Sequence, residues 1–219
     1  MPRDSQARER QARALARKKP RRPLFDRVLI VTEGTKTEPN YFEAIRTQVR
    51  AASAHIAVVP SASGTEPAQV VDFAHDLFLR KDRGFEWIFA VFDRDDHSTY
   101  ANALLRARQL DNTLRSDEKR VVRFLAVPSV PCFELWLLIH FEDVWAPRHR
   151  DEVLTRLKRF LPGYHKGSAD TYEKTESRLG EAISRAKQLR QRYEPDKGTD
   201  PYTNVDEVVE RLRSIKGLN

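Results

Sequence analysis

The chain has 219 residues, 40% of them hydrophobic, with 39 basic and 32 acidic side chains and a formal net charge of +7. That composition supports one core of ordinary size, and no apolar stretch approaches the roughly 20 residues of a membrane span. A single cysteine, Cys132, excludes an internal disulfide and a cysteine-type zinc site, and it suits a reducing cytoplasm.

Residues 1–22 hold nine basic side chains and two acids, so this arm carries +7 by itself and the remainder balances at 30 against 30. It reads as a disordered arm. A basic arm on a neutral body is an electrostatic handle for nucleic acid, or else a solvated terminus that aids solubility. It lacks the apolar segment of a secretory signal.

Arg27–Thr32 then predicts a buried strand. A helix follows, with Tyr41, Phe42, Ile45 and Val49 on one stripe, Thr35 or Thr37 as cap and Pro39 in its first turn. His55–Val59 predicts a second strand, and residues 66–83 a helix with Val70, Phe73, Ala74, Leu77 and Phe78 on one side. Trp87–Phe92 is the third expected strand. Ser98 or Thr99 caps the next helix, which runs to about Leu114, and Val121–Val127 is the fourth strand. Pro128–Pro131 breaks the chain before an apolar helix over Cys132–Phe141. This alternation predicts an α/β fold with a mostly parallel four-stranded sheet wrapped by helices. From about Asp143 strand signals stop. Helices are expected over Asp151–Leu161, Thr171–Tyr193 and Asn204–Ile215, with loops over Gly163–Ala169 and Pro195–Tyr202. The expected organisation is an arm at 1–22, a core at 23–145 and a helical extension at 146–219.

Two acidic stations carry the chemistry. The first strand runs into Glu33-Gly34, and the third runs into Asp93-Arg94-Asp95-Asp96. Strand C-termini of a parallel sheet share one edge, where ligands bind. Converging carboxylates repel unless a cation lies between them, and hard oxygen ligands suit Mg²⁺ or Mn²⁺. Alternation puts Asp93 and Asp95 on one side if the chain stays extended past Phe92. Asp96 faces elsewhere or caps the next helix. His97 is a ligand, a proton shuttle or a turn residue. Glu134 is an acid in an apolar segment, so it is either salt-bridged or part of the site. Lys166, flanked by Gly163 and Gly167, is a surface lysine or a phosphate clamp. Thr203-Asn204 caps the last helix.

Four segments carry a family resemblance: Val31-Thr-Glu-Gly-Thr-Lys-Thr-Glu-Pro-Asn-Tyr-Phe42, Val91-Phe-Asp-Arg-Asp-Asp96, Pro131-Cys-Phe-Glu-Leu-Trp136 and Thr203-Asn-Val205. Together they resemble the RloB family. That family is similar to Toprim-type phosphoryl-transfer domains of topoisomerases, primases and overcoming-lysogenization-defect nucleases. The resemblance implies a Toprim-like core and a phage-defence protein of restriction or abortive-infection loci, often beside an ATPase partner. Glu33 matches the Toprim glutamate, and Asp93 and Asp95 match its aspartate pair. No topoisomerase tyrosine motif and no ATPase motif is present.

The leading expectation is a Mg²⁺- or Mn²⁺-dependent nuclease acting on DNA or RNA, with Glu33, Asp93, Asp95, Glu134 and Lys166 in its site. Glu33, Asp93 and Asp95 would hold the cation, with Glu33 also a candidate general acid or base. A haloacid-dehalogenase-like phosphatase also uses Asp-x-Asp after a strand, but it leaves Glu33 without a role. A glycosyltransferase with Asp-x-Asp fits less well. A non-catalytic nucleic-acid-binding protein is the alternative of a different class.

Overall fold

The computed structural model describes residues 26–49, 55–95, 97–197 and 201–215; the basic arm and Asp96 lie outside the described residues. The parallel strands are β1 (Val28–Thr32), β2 (Ile56–Pro60), β3 (Trp87–Asp93) and β4 (Arg123–Val130). Helices α1 (Thr37–Gln48), α2 (Pro67–Arg80) and α3 (Tyr100–Leu110) connect them. The chain continues through α4 (Glu134–Leu138), α5 (Arg150–Phe160), α6 (Thr171–Thr175), α7 (Leu179–Arg192), β5 (Tyr202–Thr203) and α8 (Val205–Ile215). The sheet order is β2-β1-β3-β4-β5.

The sheet has five strands, one more than expected. β5 pairs antiparallel with β4 through Ser129↔Thr203 and Val130↔Tyr202. Two residues are too few for alternation to show. β4 also runs through Pro128 to Val130, where a break was expected. Pro128 is accommodated because β5 pairs only beyond it, so no ladder needs its missing N–H on that side. The rest of that edge is occupied by side chains. Asp111 Oδ1 accepts the Phe124 N–H at 2.9 Å, and Asn204 Nδ2 donates to Ala126 O at 3.1 Å. Such contacts blunt an edge that would otherwise template another strand.

Both sheet faces are covered, so the strands are continuous apolar runs. Leu29, Val31, Ile88 and Phe92 pack with Val70, Phe78, Leu104 and Ala107 of α2 and α3. Val28, Ile30, Phe89 and Val127 pack on the other face with Phe42 and Ile45 of α1. Trp136, Leu157, Leu179, Val208 and Leu212 of the later helices join that same cluster. Each fully buried large apolar side chain contributes roughly 1.5–3 kcal/mol. Among the described residues, no helix is long and apolar enough to cross a membrane.

Helix ends differ from expectation where side chains have other partners. The segment over Thr171–Tyr193 divides into α6, a 3-10 turn at Glu176–Arg178 and α7. At the division, the buried Thr175 hydroxyl donates back to Thr171 O at 2.9 Å. Thr99 stands at the N-cap of α3 as expected, but its hydroxyl makes no cap bond, and Lys36 rather than Thr37 precedes α1; both threonine hydroxyls serve the site described next.

Candidate metal centre

The acidic stations meet at one sheet edge because β1 and β3 are neighbours in register, with Thr32 opposite Val91. Glu33 N–H donates to Val91 O at 2.9 Å, and Asp93 N–H donates to Glu33 Oε2 at 2.9 Å. Beyond β3 the chain is fastened to the end of β4. Arg94 N–H donates to Ser129 O at 2.9 Å, and Asp95 N–H donates to Pro131 O at 3.4 Å. Asp95 has φ +36°, a left-handed conformation that aspartate tolerates better than most residues. The extended chain therefore ends at Asp93, contrary to the alternation argument. A turn, not a continuing strand, brings Asp95 to the site.

Glu33, Asp95 and His97 each offer a ligand atom, all within 4.8 Å of one another, and together could hold a metal ion. His97 is oriented from behind. Its Nδ1 lies 3.1 Å from Glu66 Oε1, and its Nε2 lies 3.9 Å from Glu33 Oε1. The Thr99 hydroxyl donates to Glu66 Oε2 at 2.7 Å and so fixes the carboxylate that fixes the imidazole. An outer carboxylate holding one ring nitrogen is the usual support of a metal-binding histidine. Asp93, expected as a ligand, lies outside this trio and beside it.

A cavity of about 270 Å³ opens on the cluster. Glu33, Asp93, Asp95, Glu134 and Lys166 all line it. Glu134 is only 3% exposed and accepts from the Tyr164 hydroxyl at 3.0 Å. Lys166 Nζ stands 3.8 Å from Glu134 Oε1. The lysine reaches the site because its loop is pinned to the start of α1. Gly167 N–H donates to Thr37 Oγ1 at 2.9 Å, and Asn40 Nδ2 donates to Gly167 O at 2.8 Å. Gly167 has φ +85° and packs against Lys36, where a Cβ would approach to 2.9 Å.

Glu38 and Arg150 were missed from the sequence. Glu38, in the first turn of α1, reads as an ordinary N-terminal helix acid. It is buried against Gly34, and a Cβ there would lie 2.2 Å from Glu38 Oε2. Gly34 was the available signal, since a glycine after Glu33 announces a close approach; the approaching group is a carboxylate. Arg150 Nη1 donates to Asp95 Oδ2 at 2.7 Å, a contact made across elements that no local pattern encodes.

The cluster is electrostatically frustrated. Burial pushes the Glu33 carboxyl up. Glu38 is pushed up to about 7, by burial first and then by the charges of Glu134 and Glu33. Asp93 rises well above the usual range, through burial and then through Glu38, Glu33 and Glu134. Arg150 lowers Glu33 and Lys166 lowers Glu38 by less than burial and the neighbouring carboxylates raise them, and a divalent cation supplies further positive charge. The donor set therefore fits a metal.

The family model described as RloB-like protein matches residues 28–212. The chain belongs to the RloB-like family. No curated protein and no solved structure matches it. In this RloB-like chain the matched span runs from β1 into α8 and contains every residue of the cavity and the trio.

Proposed function

We propose that this RloB-like protein is a divalent-cation-dependent phosphodiesterase that cleaves DNA or RNA. The convergence of Glu33, Asp95 and His97 with buried Asp93, Glu38 and Glu134 in one cavity carries the reading. Glu33, Asp95 and His97 would hold the ion. Carboxylates suit Mg²⁺ or Mn²⁺, and the imidazole tilts the set toward Mn²⁺. When bound, such an ion polarises a phosphoryl oxygen and acidifies coordinated water.

The chain's own groups supply the rest. Lys36, Lys166 and Arg150 line the cavity as cations for phosphate oxygens. Glu38, with its pKa near 7, is matched to taking up or releasing a proton at neutral pH. The +7 charge of residues 1–22 favours a polyanionic partner. The family resemblance extends the proposal to phage defence in the cytoplasm beside an ATPase partner. A haloacid-dehalogenase-type phosphatase fits less well, because Glu33 is bonded to Asp93 and belongs to the trio. The test is turnover of single-stranded, duplex and structured DNA and RNA with Mn²⁺, Mg²⁺ or chelator, repeated with an ATPase added where one is encoded beside this chain. Metal-dependent cleavage supports the reading. Its absence under every condition removes it in favour of a binding protein.

A further inference from the structure

The tripeptide Asp93-Arg94-Asp95 divides two cavities. Asp93 lines the carboxylate cavity, Arg94 lines a second cavity of about 160 Å³, and Asp95 lines both. Arg150 also borders both and is tied to Asp95. The second cavity is strongly basic. Arg94, Arg148, His149 and Arg150 line it, against Asp95 as its single acid. Glu152 pairs with Arg148, and Asp151 pairs with His149 at 3.3 Å. Among the described residues no acid pairs with Arg94, whose guanidinium lies over the Tyr100 ring at 5.9 Å. The Arg148 Nε is buried and has no hydrogen-bond partner. A buried guanidinium N–H without an acceptor is costly to the fold, and its planar fork matches phosphate oxygens. Val130 and Pro131 add an apolar wall suited to a sugar face.

We propose that this basic cavity is a phosphate subsite, holding the backbone phosphate next to the one at the carboxylate cavity. The inference rests on the hydrolytic reading above and specifies its substrate. Arg94 and Arg148 are positioning residues: they grip a phosphate that is not cleaved and set its neighbour against Glu33 and Asp95. The preferred substrate is then a strand with phosphates in series, and an isolated diester is a poor one.

The experiment compares kcat/KM for a fluorescein-labelled oligonucleotide with that for bis(p-nitrophenyl) phosphate, which has no second phosphate. It uses the full chain with Mn²⁺. The ratio of the two values falls about tenfold in Arg94→Ala and in Arg148→Ala, as expected for loss of one charged hydrogen-bond donor. Arg94→Lys keeps the charge, loses the fork and falls between. Oligonucleotide binding, followed by anisotropy, shows the log–log salt slope reduced by about 0.7–0.9 for each phosphate no longer neutralised. An unchanged ratio with an unchanged slope overturns the subsite, and so does an equal loss on both substrates. If the wild type hydrolyses neither substrate, the hydrolytic reading falls, and the salt slope alone decides the cavity. A lower slope in both variants keeps it as a phosphate site; an unchanged slope overturns it as well.

Discussion

Asp93 and Glu33 are 60 positions apart, and the Asp93 backbone N–H donates to Glu33 Oε2 at 2.9 Å. The bond locks the carboxylate after β1 against the end of β3. It also leaves Glu33 Oε1 on the side of His97.

That geometry makes Glu33→Gln informative. The glutamine carbonyl can still accept the Asp93 N–H, so folding and nucleic-acid affinity stay close to wild type. Charge and basicity are lost, and cleavage falls by about 10²–10⁴. Single-turnover cleavage beside a thermal melt checks both halves. Cleavage at the wild-type rate would remove Glu33 from the mechanism.

Metal should stabilise the wild type. An ion present at about 100 times its dissociation constant adds about 2.7 kcal/mol. Each kcal/mol raises Tm by about 2–4 °C in a chain of this size. Asp95→Ala abolishes the rise, and His97→Ala diminishes it more for Mn²⁺ than for Mg²⁺. Equal shifts in wild type and Asp95→Ala would place the ion elsewhere.

The metal-free protein should lose stability as pH rises above about 6.5. Glu38 keeps its proton to about pH 7 in the fold, whereas the ordinary value of 4.5 applies once it is unfolded. The stability gained from that raised pKa is complete below about 4.5 and disappears as pH passes through 7. Glu33 and Asp93 are shifted in the same direction. Buried His140, held down at about 4, works in the opposite sense up to its ordinary value of 6.5, so the downward slope is expected for melts in chelator from about pH 6.5 to 8. Glu38→Gln should flatten the slope, and Mn²⁺ should restore the stability lost near neutrality. A metal-free Tm that rises over this range would contradict the assignment.

Deleting residues 1–22 removes the full +7. Oligonucleotide binding should weaken, and the salt slope should drop by about 0.7–0.9 for every phosphate the arm had neutralised. Titrations at several salt concentrations measure this. An unchanged slope would assign the arm to solubility or partner docking.

The parallel strands were legible because each is a short apolar run ending in glycine, proline or an acid. The two acidic stations were legible because packing does not explain a carboxylate after a buried strand. What escaped was set by contacts distant in sequence. β5 exists through its pairing with Ser129 and Val130. His97 is oriented by Glu66, 31 positions earlier, which lies against its Nδ1. Arg150 comes from α5, and Tyr164, which bonds Glu134, comes from the loop after it. Asp95 does share a cavity with Asp93, but through a left-handed turn that the alternation argument does not describe.

The face of the sheet completed by α8 imposes an order on synthesis. A ribosome has made all four parallel strands once Val130 emerges, yet Ile30, Phe89 and Val127 still await Val208 and Leu212. Until then the nascent chain offers a broad apolar surface, the kind that chaperones hold. Arg150 and Lys166, which border the cavity, are also translated after the strands that carry its acids. A chain ending at Val130 therefore has Glu33, Glu38, Asp93 and Asp95 with Lys36 alone of the cavity's cations, and Glu134, Arg150 and Lys166 join them only as the later segments dock.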